Sequence, residues 1–163
     1  LVREIEADCA VIRDCASKAE LRLAESSEGA LESCAYQLAR LYNVFEKILE
    51  RICRGFENHF DKRGDYHEQL IQRLALNLPG IRPAFIPVDG LRAVRELKGF
   101  RHVVRHAYDL EFREDRLREL VGLARGISDQ LPGWTTRFDA TVRREQGWDP
   151  PPPPASGSIT RPK

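Results

Sequence analysis

The sequence predicts an all-α fold, an antiparallel bundle of about five helices followed by a disordered, proline-rich C-terminal tail. Three observations predict it. Apolar residues recur in steps of three and four through most of the first 145 positions, the period of a one-sided helix. No segment alternates apolar and polar residues with the period of two that a half-buried strand requires. Glycine and proline collect where the apolar stripes stop. A chain of 163 residues is long enough for one well-buried core. The expected division is a helical domain over 1–146 and a flexible tail over 147–163.

The first helix is expected over 2–26, with its stripe at Ile5, Cys9, Ile12, Ala16, Ala19 and Leu23. Gly29 marks the break. A long second helix follows from about 30 to 60, striped by Leu31, Cys34, Leu38, Leu41, Phe45, Ile48 and Ile52. A turn at Gly64 leads into a shorter helix reaching about 76. The stretch NLPGIRPAFIPVDG, residues 77–90, holds three prolines and two glycines and reads as a loop. Phe85 and Ile86 give it apolar weight, so it is expected to pack on the bundle. Asp89 is positioned to cap a fourth helix over about 90–112. The last helix carries Leu117, Leu120, Ala124, Ile127, Leu131, Trp134 and Phe138. Pro132 and Gly133 predict a kink or break within it, although the apolar face continues past them. Five consecutive prolines in GWDPPPPPASGSITRPK mark a polyproline or solvated tail.

Net charge is +1, so any anion site must be a local patch and not the field of the whole molecule. Four cysteines at 9, 15, 34 and 53 lack metal-finger or CxxC spacing and read as free thiols. Cys34, on the stripe of the second helix, reads as a core thiol. No apolar run reaches the roughly 18 residues of a membrane span. No signal peptide is legible, and the expected location is cytoplasmic.

The segment RHVVRHAYDLEF, residues 101–112, is unusual. On a helical projection Val94, Leu97, Phe100, Val103, Val104, Ala107 and Leu110 share one broad arc. Arg95, Lys98, His102, Arg105, His106 and Asp109 share the opposite one. Arg101 and Tyr108 lie nearly in line at the edge of the apolar arc. A guanidinium at that edge is either salt-bridged within the protein or faces a partner. Arg101 and His106 are separated by about 140° around the helix. They act together only through a kink, a long reach, or a second copy of the helix in a two-fold dimer.

Three readings fit these residues. One is a solvated basic face with a core-edge arginine and a packed tyrosine. A second is metal ligation by His102 and His106, four apart, completed by Asp109 or His67. The third is acid–base work on a phosphate ester, with histidine moving a proton and arginine holding the phosphate.

The run Arg101-His102-Val103-Val104-Arg105-His106-Ala107-Tyr108 has the form Arg-x4-His-x-Tyr. In a late helix of a small all-helical protein it resembles the HEPN superfamily, and within it the HepT-type and HepT-like ribonuclease toxins, over roughly residues 1–145. The resemblance implies a homodimer whose motif helices face across the two-fold axis. It implies a metal-independent endoribonuclease without a cofactor, with Arg101 and His106 as the catalytic pair and RNA as substrate. Lys98, His102 and Arg105 are then RNA phosphate contacts. The resemblance further implies an antitoxin partner of the nucleotidyltransferase type, able to transfer AMP to Tyr108. The chain has no Gly-Ser plus paired-Asp nucleotidyltransferase signature, so it is the acceptor in such a pair. His102 departs from the small polar residue that many HEPN proteins carry after the motif arginine; it is either an added phosphate contact or a change in geometry. The alternative function is a non-catalytic HEPN-like module that binds nucleotide or a nucleotidyltransferase partner.

Overall fold

The computed structural model describes residues 1–25, 27–57, 65–106 and 111–148. Among them are five α-helices: α1 (Val2–Glu25), α2 (Glu28–Phe56), α3 (Tyr66–Leu74), α4 (Leu91–His106) and α5 (Glu114–Glu145). The expected all-α bundle is therefore observed. The proline-rich tail from 149 onward and the turn at Gly64 lie outside the described residues.

α1 and α2 are joined by a connection so short that they pack antiparallel. Ser27 caps α2, its hydroxyl accepting the Ala30 amide at 3.3 Å, which satisfies a donor that a helix start leaves unpaired. α1 lies along α2 and α5, and α4 packs on both α2 and α5. The stripe predicted for α2 is buried from Cys34 through Ile52, with Leu31 half-buried at its start. Its core reaches Trp134 and Phe138 on α5. Phe85 meets both rings edge-on, at 6.4 and 5.6 Å between centroids, a favoured aromatic geometry.

The loop after α3 packs as its apolar residues predict. Phe85 and Ile86 are fully buried, and both their amides donate to the Leu74 carbonyl. Gly80 adopts φ 77° in the turn closed by Leu78 and Arg82, a conformation that glycine tolerates best. Arg82, in the same loop, is the unexpected element, with no exposed surface at all. It donates to the Glu57 carboxylate at 2.6 and 2.9 Å and to the carbonyls of Arg73, Leu76 and Pro83. Arg73 donates to the other Glu57 oxygen. One carboxylate just past the end of α2 thus holds the end of α3 and the loop behind it.

Five expectations are corrected. α2 ends at Phe56, and Glu57 is already extended. α3 ends at Leu74, two residues early. α4 ends at His106 among the described residues, and 111–113 is not helical. Its start is approached through a 3-10 turn, Val88–Gly90, so Asp89 sits inside the turn and not at the cap position. Gly90 is there because a side chain would strike the Trp134 ring: an added Cβ lies 2.6 Å from it. α5 is helical straight through Pro132 and Gly133, so no break occurs there.

All four cysteines are free and buried. Burial pushes the Cys34 thiol up to about 11 and the Cys53 thiol up to about 12, so both are protonated, unreactive core groups.

Candidate functional site

α4 is amphipathic as projected, but less deeply sunk than expected. Only Val94 and Leu97 are buried. Val103, projected onto the apolar arc, is 43% exposed. With Phe100, Phe112 and Leu117 it lines a groove of about 450 Å³ between α4 and the start of α5.

Arg101 sits where the projection placed it, at the boundary of the core. Its side chain is only 13% exposed. Three side chains on two helices fix it. Its Nε donates to the Asn43 amide oxygen on α2 at 2.8 Å. One terminal nitrogen lies 3.6 Å from Glu46 Oε2 on α2. The other lies 3.4 Å from His67 Nε2 on α3. His67 Nδ1 pairs in turn with Glu46 Oε1. An arginine offers only donors, so toward it the His67 Nε2 presents a lone pair, and Nδ1–H donates to Glu46.

Beside this triad is a cleft of about 350 Å³ lined by Asp65, His67, Lys98, Gly99, Arg101 and His102. Lys98 is not a free cation. It donates to Glu68 at 2.6 Å and stands 3.7 Å from Asp65. Glu68 also accepts from Arg95. Lys98 hydrogen bonding, ahead of the Arg95 contribution, lowers the Glu68 carboxyl below its ordinary range. One turn before Glu46 on α2, the Tyr42 hydroxyl is buried without a hydrogen-bond partner among the described residues. Burial, followed by the Glu46 charge, raises its pKa, so it is a neutral phenol.

The residues singled out in the sequence therefore divide. Lys98, Arg101 and His102 meet at the cleft. Arg105 and His106 are exposed on α4 and do not line it. His106 is linked to it through His102: the two rings stack at 4.3 Å, and His106 Nδ1 donates to the His102 carbonyl at 2.9 Å. That bond leaves His106 Nε2 as the outward lone pair. Tyr108 and Asp109 lie outside the described residues. No group of three His, Cys, Asp or Glu side chains arranged for a metal occurs among the described residues.

Asn43 and Glu46 were missed by the sequence reading, and His67 was noticed only as a metal ligand. A signal for Glu46 did exist. It falls in the series Tyr42, Glu46, Leu49, Cys53, whose steps of four, three and four put a carboxylate on the buried stripe of α2. A buried acid needs a partner, and Arg101 and His67 are that partner.

Among known families, the model described as HepT-like protein matches residues 33–142 of the chain. That span runs from α2 to near the end of α5 and includes the whole Arg101 cluster. No curated protein and no solved structure matches the chain. No helix among the described residues is long and apolar enough to cross a membrane.

Proposed function

The chain belongs to the HepT-like protein family, and from that premise we propose that it is a metal-independent endoribonuclease, the toxin of a toxin–antitoxin pair. The observation that carries the reading is the Arg101 guanidinium. It is immobilised by Asn43, Glu46 and His67 at the wall of an open cleft, with N–H groups left over for a phosphate. A fixed donor fork aimed where charge develops is what phosphoryl transfer needs.

In this mechanism the RNA supplies its own nucleophile. His106 Nε2, held as a lone pair by the bond from Nδ1 to the His102 carbonyl, takes the proton of the 2′-hydroxyl. The 2′-oxygen attacks the adjacent phosphorus, and Arg101 stabilises the charge on the phosphorane. The products are a 2′,3′-cyclic phosphate and a 5′-hydroxyl. His102 and Arg105 hold flanking phosphates. Lys98, already engaged by Glu68, contributes less than its charge suggests. Arg101 and His106 point in different directions from α4, so the complete site draws on both protomers of a homodimer.

The antitoxin in this reading is a nucleotidyltransferase that adds AMP to Tyr108, placing bulk and negative charge in the RNA cleft. Tyr108→Phe is expected to keep ribonuclease activity and escape silencing by ATP and that partner. Intact mass after co-expression reads the modification directly. An AMP adduct that persists on the Phe variant places the acceptor elsewhere.

Cleavage of single-stranded RNA with EDTA present, followed by end-group analysis, tests the main reading. Arg101→Ala and His106→Ala are each expected to slow cleavage by roughly a hundredfold or more. Full activity in His106→Ala, or activity abolished by EDTA, refutes the mechanism. The second reading, a non-catalytic module for a nucleotide or a nucleotidyltransferase, is favoured by the number of internal partners Arg101 already has. On that reading the wild-type protein cleaves nothing, and Arg101→Ala lowers only the melting temperature.

A further inference from the structure

Cleavage of RNA by its own 2′-hydroxyl requires two proton transfers. A base removes the 2′ proton, and an acid protonates the 5′-oxygen, which leaves poorly as an alkoxide. His106 and Arg101 account for the first transfer and for the charge on the phosphorane. An arginine is a poor proton donor, since it stays protonated at every relevant pH. The leaving group is unattended.

We infer that His67 is the general acid that delivers a proton to the 5′-oxygen. The inference rests on the ribonuclease reading above and adds to it a residue outside the Arg-x4-His-x-Tyr run. Three features of the structure carry it. His67 lines the same cleft as Arg101 and His102. Its Nε2 stands 3.4 Å from the Arg101 guanidinium, so a phosphate seated on Arg101 is within reach of that nitrogen. Its Nδ1 is bound by Glu46, a carboxylate whose side chain is only 11% exposed. This is the arrangement that fixes an imidazole's tautomer and ring orientation and accommodates its positive charge. His67 comes from the first turn of α3 and His106 from the last turn of α4. The two imidazoles thus stand on different elements, and in the proposed composite site the His106 that acts at this cleft belongs to the other protomer.

The step balances as follows. The bond from the 2′-oxygen to phosphorus forms while the 2′ proton passes to His106 Nε2. The bond from phosphorus to the 5′-oxygen breaks, and that oxygen takes a proton from Nε2 of His67. This nitrogen, a lone pair toward Arg101 in the free protein, gains that proton from water when the substrate phosphate comes between the two side chains. His67 is left neutral, with Nδ1–H still donating to Glu46. Proton exchange with water resets both rings. Glu46 is a positioning residue here, because it touches His67 and not the reacting atoms.

The test uses two RNA substrates, one natural and one whose 5′-bridging oxygen is replaced by sulfur. A thiolate leaves without protonation, so loss of a general acid is masked on the sulfur substrate. His67→Gln is expected to cleave the natural RNA roughly a hundredfold more slowly than wild type and the sulfur RNA at close to the wild-type rate. His106→Ala is expected to be slow on both. Glu46→Gln, with the partner charge removed, is expected to slow the natural substrate and spare the sulfur one. Wild-type speed of His67→Gln on natural RNA overturns the assignment. So does an equal loss on both substrates in His67→Gln and His67→Asn alike, which marks a structural or phosphate-holding residue. If the wild-type protein cleaves neither RNA, the ribonuclease reading itself fails, and it fails visibly in the wild type and not in the variant.

Discussion

Glu57 illustrates how much one side chain decides. Its carboxylate receives both Arg82 and Arg73, and Arg82 is otherwise surrounded by carbonyls and the core. Burial alone raises the Glu57 carboxyl, but hydrogen bonds from Arg82 and then Arg73 outweigh it, so its pKa falls below the ordinary range. The sign follows directly. A depressed carboxyl stabilises the fold above its unfolded pKa, and that stability is lost as pH falls through the folded value. Glu57→Gln is expected to cost about 3–5 kcal/mol at neutral pH, because it strands a buried guanidinium. The gap between wild type and variant should begin to close below about pH 4.3, the unperturbed glutamate value. Urea melts at pH 7 and pH 3 check this; an equal gap at both refutes the charge argument. Gly90 makes a second test at the same scale. With Trp134 atoms 2.6 and 2.7 Å from an added Cβ, Gly90→Ala is expected to destabilise by about 1–3 kcal/mol through overpacking. An unchanged urea midpoint would show that the indole moves aside freely.

At the scale of elements, α2 was legible because its stripe is a local property, spaced along one helix. Much of α4 was legible for the same reason, including Arg101 at the core edge. The buried state of Arg82 was not legible in NLPGIRPAFIP. Its acceptor, Glu57, lies 25 residues earlier in sequence and meets it only after the loop has folded back over α3. The Asn43, Glu46 and His67 set around Arg101 is non-local in the same way. Such convergence leaves at most a faint mark, here the acid on the stripe of α2. Pro132 misled for a different reason. Local propensity predicts a break, but packing of Leu131, Trp134, Thr135 and Phe138 outweighs a penalty of about 3 kcal/mol. The proline lacks the N–H that would reach the Ser128 carbonyl one turn back. Pro132→Ala restores that bond, partly offset by a freer unfolded chain. It is expected to stabilise by about 1–2 kcal/mol, or roughly 2–4 °C in Tm per kcal/mol for a chain of this size. A lower Tm by calorimetry would mean that the pyrrolidine ring contributes packing worth more than the bond.

For the whole molecule, the proposed chemistry demands a second copy. Arg101 is folded inward to the α2 and α3 side of α4, whereas His106 stands exposed on its last turn. The surface between α4 and α5 has an apolar character that a solvated face does not need. Phe100 and Phe112 lie 6.2 Å apart at a groove that Val103 and Leu117 extend, and Val103 is 43% exposed. The proposed dimer would bury this surface against its two-fold mate, and its chemistry requires that His106 of one protomer then lie near the cleft of the other. Sedimentation at micromolar concentration is therefore expected to show a dimer. Val103→Asp, which would bury an unpaired carboxylate at that contact, is expected to weaken the dimer at least tenfold and leave the protomer folded. RNA cleavage should fall in step with the dimer fraction as the variant is diluted, and rise again as it is concentrated. A wild-type protein that sediments as a monomer while cleaving RNA would show that a single protomer holds the whole site. A dimer untouched by Val103→Asp would place the two-fold contact on another face.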